Sequence, residues 1–342
     1  MRNLIQPPKS WNNQKEHFMT IIDDEWYHIL TKLQNTLTVA TYEFYSQRGY
    51  ITLHLPIITG SISSPMGRGS DSLPVKINLF GIETYLADSM QFMLEYGCRL
   101  NPRGCYYLMP SFRGENADER HLCQFYHSEA EIEGDIYDVM TLVEDYLRFL
   151  GKRFIEECGE DIKKVTGDLS HIDAFLKMDK IPRITMDEAI ELFDEKYPNM
   201  HLYEIDEEYH FRNINRKGEE VLMEYFGGFV WLTNFDHLSV PFYQAFDETG
   251  THAKNADLLF GIGEVVGCGE RHIGGKEVYK ALALHEVDTA DYEWYIRMKE
   301  QKPLHTSGFG MGTERYLMWL LQTNDIRDYQ LLPRFNGVVC IP

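Results

Sequence analysis

The 342 residues contain no stretch long enough to span a bilayer, no secretory leader, no paired-cysteine pattern and no excess of positive charge. The longest apolar runs, such as 316–321 and 338–341, fall far short of the roughly 20 residues a membrane crossing needs. The opening Met1-Arg-Asn-Leu-Ile-Gln-Pro-Pro has no apolar region before a small-residue cleavage site, so a cytoplasmic protein is expected. Six cysteines, at 98, 105, 123, 158, 268 and 340, include no CxxC pair and no zinc-ligand spacing, which predicts reduced and mostly buried thiols. Lys and Arg total 33 against 53 Asp and Glu, a formal charge of −20, so the surface as a whole repels nucleic-acid phosphate and anionic lipid. DNA and membranes are excluded as partners on this ground, and any RNA contact must be local. No segment is repetitive or low in complexity, and no Gly/Ser/Pro linker divides the chain.

A hydrophobic content of 44%, with 13% aromatic residues, supports a sizeable core. The chain reads as one continuous domain, 1–342, with a peripheral helical insertion at about 150–225. Trp26, Ile29, Leu30, Leu33, Leu37, Ala40 and Phe44 recur at intervals of mostly three and four, predicting an amphipathic helix over 25–45 that stops at Gly49. Residues 60–74 hold too much Gly, Ser and Pro for a regular element and predict a loop. Strands are expected near 75–87, 105–113, 121–133, 229–234, 243–248 and 261–267, with helices over 138–158, over 187–196 and after Gly312. Hairpins rather than βαβ units predict an α+β fold with a mainly antiparallel sheet.

Three constellations are able to carry chemistry. The first joins Ser111-Phe-Arg-Gly-Glu115 to the run 120–131. Strand alternation would put His121, Cys123, Phe125, His127 and Glu129 on one face, with Arg113 approaching from the partner strand. A guanidinium that bridges phosphate oxygens and a ring that stacks on a base suit a nucleotide. A solvated hairpin with ordinary cross-strand pairs accounts for the same spacing, and His121, Cys123 and His127 make a poor metal set. The second runs from Asp257 to Arg271. Asp257 and Glu264 flank a Gly-containing turn and are able to bring two hard oxygens to one Mg²⁺, with Arg271 ending near the same cleft, although a Gly-rich hairpin with surface charges reads equally well. The third, Ser307-Gly-Phe-Gly-Met-Gly-Thr-Glu-Arg315, places glycines before an apolar helix, where a turn cradles an anion and Arg315 adds a cation. It does not fit the dinucleotide fingerprint.

Together these motifs resemble the catalytic domain of class II aminoacyl-tRNA synthetases of the aspartyl/asparaginyl subgroup. Leu53-His-Leu-Pro-Ile-Ile-Thr59 resembles the first class motif, Phe112-Arg-x-Glu115 with Arg120-His-Leu and Phe125 the second, and Gly308-Phe-Gly-Met-Gly-Thr-Glu-Arg315 the third. The resemblance runs from about 20 to 337 and is thinnest between 160 and 220. It implies a mainly antiparallel sheet flanked by helices, a homodimer, and ATP with Mg²⁺. It implies further that Arg113 holds the ATP α-phosphate and that Glu115 belongs to the same ATP site. Phe125 and Arg315 would sandwich adenine, His121 would sit by the phosphate tail, and Asp257 and Glu264 would hold Mg²⁺. Arg271 would read the substrate side chain, Ser89 and Gln91 of Ala87-Asp-Ser-Met-Gln91 would receive the amino acid, and Glu129 would meet its ammonium group. The implied chemistry is attack of a carboxylate on the α-phosphorus, giving an acyl-adenylate and pyrophosphate, by charge neutralisation and positioning.

Departures from the subgroup shape the functional expectation. No anticodon-binding domain is expected in this chain. Leu94 stands where aspartyl enzymes carry a lysine, Gly267-Cys268-Gly269 replaces a Gly-Gly-Ser segment, Gln124 replaces an acid, and loop 60–74 offers Arg68 and Asp71 instead of a Glu-Gly pair. The expectation is an ATP-dependent ligase that activates aspartate, asparagine or an analogue and passes the acyl group to an acceptor other than tRNA: ammonia, a small amine or a carrier. The alternatives are a minimal asparaginyl-tRNA synthetase and a catalytically idle regulatory paralogue.

Overall fold

The computed structural model of the chain describes residues 4–62, 67–70 and 72–339. In chain order its helices are α1 (Gln14–Asp23), α2 (Glu25–Gln47), α3 (Gln91–Cys98), α4 (Ile136–Thr166), α5 (Ser170–Lys177), α6 (Met186–Lys196), α7 (Arg216–Phe226), α8 (Gly275–Leu284), α9 (Glu293–Gln301) and α10 (Thr313–Leu321). Its strands are β1 (Ile51–Thr52), β2 (Ile58–Thr59), β3 (Val75–Leu79), β4 (Ile82–Leu86), β5 (Cys105–Phe112), β6 (Gln124–Glu133), β7 (Arg183–Thr185), β8 (Tyr203–Ile205), β9 (Arg212–Ile214), β10 (Phe229–Thr233), β11 (Asn255–Phe260), β12 (Glu264–Glu270) and β13 (Thr306–Gly312).

Eight strands form one sheet in the order β1-β5-β6-β13-β12-β11-β10-β7. The two edge pairs run parallel and every pair between them is antiparallel. The fold is therefore α+β, a mainly antiparallel sheet flanked by helices. Alternation separates its two faces. On one, the cross-strand row Tyr106, Ala130, Phe309, Cys268 and Ala256 is buried with side chains of α2, α4 and α10. On the other, one row reads Tyr107, Glu129, Gly310, Gly267, Asp257 and its neighbour reads Cys105, Glu131, Gly308, Gly269, Asn255. Glycine occupies the middle of both rows. The result is a bare strip of backbone with acidic side chains along its margins.

The helical side is fastened to the sheet by specific contacts. α4 opens with a reciprocal cap between Asp135 and Asp138 and closes at Gly167, whose φ of 93° places it in glycine's region. The Tyr146 hydroxyl of α4 meets Thr41 of α2 at 2.6 Å and Ser128 of β6 at 3.0 Å. Tyr45 stacks on Tyr106 at 4.5 Å.

Several expected boundaries move. α4 continues past the expected end at 158 to Thr166, and α1, α3, α5, α7, α8 and α9 had no counterpart in the periodicity reading. The aromatic stretch 243–248 forms only isolated bridges at Gln244 and Phe246, while the strand lies at Asn255–Phe260, whose polar positions face the other way from its apolar ones. The strand expected at 261–267 starts at Glu264, because Gly261 and Gly263, with φ of 75° and 116°, make the turn. β6 begins at Gln124, so His121 and Cys123 precede the strand on which they were placed. Within 150–225, β7 joins the edge of the main sheet, so that segment is more than a peripheral addition. The five described cysteines are free and four are buried; Cys340 lies outside the described residues. No helix among the described residues is long and apolar enough to cross a membrane.

Three histidines pack together at one end of the fold. His237 and His285 meet at 3.4 Å between their Nε2 atoms, and His272 Nε2 donates to the Phe242 carbonyl at 3.0 Å. Burial drives their pKa values down, to about 4 for His237 and about 3 for His272 and His285. The unfolded chain protonates these rings near 6.5, so each contributes stability above that pH that is lost as the medium becomes more acidic. Urea unfolding should therefore show the native chain's advantage over His272→Gln shrinking from pH 7.5 to 4.5. A constant difference across that range would contradict the burial of the ring.

Candidate active site

The polar face of the sheet opens into a cavity of about 620 Å³, continuous with a smaller one of about 190 Å³. Ser89, Gln91, Arg113, Glu115, His121, Glu129, Asp257, Glu264, Arg271 and Arg315 all line the larger space, and Phe125 lines the smaller. The three sequence constellations thus meet, because β6, β13, β12 and β11 are neighbours.

At the inner end, Arg271 closes β12 and forms a two-pronged pair with Glu131. Its Nη2 lies 3.0 Å from Oε2 and its Nε 3.2 Å from Oε1. Both side chains are almost wholly buried, and the Arg271 guanidinium stands 5.4 Å above the Tyr243 ring. Burial pushes the Glu131 carboxyl up to about 7, with Arg271 pulling the other way. The bidentate geometry favours the ionised pair. Behind it a second buried pair, Lys299 with Glu95, also takes the Tyr295 hydroxyl at 2.6 Å. Gly308 makes room for Glu131: a Cβ there would lie 1.7 Å from Glu131 Oε2. Leu94 is buried in an apolar cluster with Met90 and Tyr107, so α3 sends no cation into this end.

Glu129 occupies the middle of the same strand. It accepts from Ser89 Oγ at 2.7 Å, from the Tyr107 hydroxyl, and from His127 Nδ1 at 3.0 Å. Burial works against its ionised form, but the His127, Tyr107 and Ser89 donors outweigh burial and hold it below the usual carboxylate range. Gln91 begins α3, with its backbone amide on Ser89 Oγ at 3.2 Å.

At the outer end, Arg113 lies 5.3 Å from the Phe125 ring and Arg315 donates to the Glu264 carbonyl at 2.8 Å. Glu264 and Asp257 converge on Gly267: an added Cβ would sit 3.3 Å from one and 3.4 Å from the other. Glu219, from α7, joins them and faces Arg120 at 3.6 Å. Burial and the charge of Glu264 push Glu219 up to about 7, and burial with Glu264 and Glu219 pushes Asp257 well above the carboxylate range. Acids that repel one another in this way fit a cation. No three His, Cys, Asp or Glu side chains among the described residues are close enough to hold a metal by themselves, so Asp257 and Glu264 suit Mg²⁺ that takes its other ligands from phosphate and water.

Some residues sit differently from expectation. Glu115 accepts from the Leu73 amide at 3.1 Å and Ser72 Oγ at 3.3 Å, so it also anchors the loop. His121 is held by Asp118 at 3.0 Å. Cys123 contacts Asn336 and Glu115 rather than sharing the face of Phe125. Arg68 pairs with Glu286 at 3.0 Å and stacks on Tyr209 at 3.5 Å; Asp71 lies outside the described residues. The glycines of β13 clear space for Glu131 and Glu129 rather than forming a separate anion turn. Alternation from Glu129 would have identified Glu131, and the quoted run 87–91 contained Asp88; nothing local marked Glu219, Glu95 or Lys299.

Comparison with known proteins gives consistent results. A family model described as tRNA synthetases class II (D, K and N) matches residues 12–336. The asparagine–tRNA ligase of Protochlamydia amoebophila is 28% identical over 336 residues, covering 90% of this chain and 70% of that one. The crystal structure of asparaginyl-tRNA synthetase from Pyrococcus horikoshii complexed with asparaginyl-adenylate is similar with a TM-score of 0.85 at 25% identity, covering 98% of this chain and 74% of the other. The asparaginyl-tRNA synthetase of Entamoeba histolytica, at 21% identity and a TM-score of 0.80, shares the fold.

Gly308→Ala should expel the Glu131 carboxylate and leave a buried guanidinium unpaired, costing about 3–5 kcal/mol in denaturant unfolding. Gly312→Ala, whose Cβ would meet only Arg315 at 3.8 Å, serves as the tolerated control. Equal effects of the two substitutions would overturn the arrangement.

Proposed function

Because the chain belongs to the class II tRNA synthetases of the D, K and N group, we propose that it activates asparagine, or less readily aspartate, as an acyl-adenylate at the expense of ATP. The observation that carries this reading is the meeting of Arg113, Arg315, Asp257 and Glu264 in one cavity with the Arg271–Glu131 pair at its inner end. The amino acid lies over the glycine strip, its side chain toward Arg271 and its carboxylate toward Arg113. ATP occupies the outer end, its base between Phe125 and Arg315 and its phosphates within reach of Arg113, His121 and Glu115. Asp257 and Glu264 would hold Mg²⁺, which would offset phosphate charge. The substrate carboxylate attacks the α-phosphorus, its oxygen forms the new P–O bond, and pyrophosphate leaves with the electrons of the broken one. Protein groups contribute position and charge and form no covalent intermediate.

Charge balance favours asparagine. Arg271 and Lys299 are each matched by a buried carboxylate, and Leu94 supplies no further cation. A substrate carboxylate would enter this end as an unmatched buried charge, whereas an amide finds both a donor and an acceptor in the Arg271–Glu131 pair.

The relatives' names favour tRNA as the acceptor of the acyl group. A formal charge of −20 favours the other reading, transfer to ammonia, a small amine or a carrier, since a polyanion must then rely on local cations. The homodimer remains part of the proposal: the β3–β4 hairpin leaves Phe80 94% and Ile82 68% exposed, apolar surface suited to a second copy.

Amino-acid-dependent exchange of pyrophosphate into ATP tests the reading. Asparagine should support exchange at least tenfold better than aspartate by kcat/KM. Arg113→Ala and Arg315→Ala should each lower the rate by roughly 10²-fold or more, and Arg271→Ala should erase the preference between the two amino acids. No exchange with any amino acid would end the proposal.

A further inference from the structure

Asp88 lies in the turn before α3, on the cavity wall, with its side chain 12% exposed. Its Oδ1 is buried and has no hydrogen-bond partner among the described residues. Its Oδ2 stands 3.9 Å from Arg113 Nε, beyond hydrogen-bond reach, and that Nε is buried and equally unpartnered. Buried polar groups are nearly always satisfied. The two form a loose ion pair without a hydrogen bond, which leaves a hydrogen-bonding site open on each. Phosphate answers Arg113. Asp88 then needs a donor, and burial already pushes its carboxyl up to about 6 against the pull of Arg113 and His127.

Beside it, His127 is oriented by its own strand and the next. Nδ1 lies 3.0 Å from Glu129 Oε1 and 2.9 Å from Ser111 Oγ. Glu129 in its ionised form only accepts, so its contact with Nδ1 favours the tautomer that carries the ring proton on Nδ1 and the lone pair on Nε2. Among the described residues Nε2 makes no hydrogen bond, and the ring borders both cavities. Its charged surroundings are Asp88 before α3, Arg113 after β5, Glu129 on β6, and Glu115, His121 and Arg315 across the cavity, while β13 presents glycines.

We propose that Asp88 and His127 form the acceptor subsite of this enzyme, built for ammonium or a protonated primary amine. This rests on the adenylate-forming reading above. The ammonium group docks on the cavity-facing edge of the Asp88 carboxylate and gives one proton to His127 Nε2. The freed nitrogen attacks the acyl carbon of the adenylate, the C–N bond forms, and the C–O bond to phosphate breaks with its electron pair leaving on AMP. The second nitrogen proton departs with the phosphate oxygen of AMP, leaving an amide. A carboxylate that holds the cation and an imidazole that receives its proton occupy one wall, next to the arginine that holds the leaving group.

The test measures AMP release by the full chain with ATP, Mg²⁺ and asparagine or aspartate, adding ammonium chloride, methylamine, putrescine or bulk tRNA in turn. At least one amine should stimulate AMP release and yield the corresponding amide by mass spectrometry. Asp88→Asn should raise the apparent KM for that amine at least tenfold, and His127→Gln should lower amine-dependent kcat by roughly 10²-fold. In each variant this loss should exceed the loss in pyrophosphate exchange by at least tenfold, exchange also serving as the check on folding. Equal losses in both assays, or stimulation by tRNA and by none of the amines, would overturn the subsite while leaving activation standing. Failure of exchange in the unaltered protein would remove activation and, with it, the subsite.

Discussion

Everything at the centre of this molecule depends on the absence of side chains from the middle of its sheet. Gly308, Gly310, Gly267 and Gly269 stand together in two cross-strand rows, and each row is flanked by residues with long polar side chains. Glu131 leans across Gly308, and Asp257 and Glu264 converge over Gly267. A Cβ at Gly308 would occupy the position of the carboxylate that holds Arg271. The glycines are therefore required by close approach rather than by turns, since none of the four has a positive φ. The opposite face of the same strands is apolar and sealed by α2, α4 and α10.

The charges around the strip are arranged in three distinct ways. At the inner end each cation is matched within the protein, Arg271 by Glu131 and Lys299 by Glu95, so the two buried pairs bring no net charge to that end. In the middle Glu129 is ionised and surrounded by donors. At the outer end Asp257, Glu264 and Glu219 crowd one another and Arg113 lacks a partner for Nε, so the protein alone leaves both signs unsatisfied. Such a gradient, from matched to unmatched, separates recognition from reaction. In the proposed reaction a side chain would be read where protein charges are already matched, and phosphate chemistry would take place where ligand charge completes the balance.

The fold was more legible in the residues than its boundaries were. Strong periodicity revealed α2, because Trp26 through Phe44 face one core, and the Asp257/Glu264 pair was legible because a hairpin turn lies between them. The strand Asn255–Phe260 was missed since its cavity-facing positions are polar, while the aromatic stretch at 243–248 imitated a strand and instead packs Tyr243 and Phe246 against α8 and α9. Glu219 reaches the acids from α7, and Lys299 reaches Glu95 across 204 positions of sequence. No local pattern encodes such distant pairings. Asp88 and His127 were both present in quoted motifs, yet their significance arises only from the unmet valences that the fold creates around them.

The described part of loop 60–74 bears on why the proposed nitrogen chemistry calls on two acids rather than one. Residues 67–69 press on Ser239 so closely that a Cβ at Gly67 would sit 2.2 Å from the Ser239 carbonyl, and Arg68 points outward to Glu286 and Tyr209. The described part of the loop thus places no charge of its own over the substrate. Among the described residues, the carboxylates that face an ammonium group over the glycine strip come from the sheet and the turn before α3. Glu129 already accepts from Ser89, Tyr107 and His127, which leaves its carboxylate room for about one further donor and so for the amino acid alone. A second nitrogen, entering to attack, needs its own counter-charge placed toward the phosphate end. Asp88 is the buried carboxylate that stands there with an oxygen still open, and the imidazole between the two acids is positioned to take from the incoming nitrogen the proton that must leave before it becomes a nucleophile.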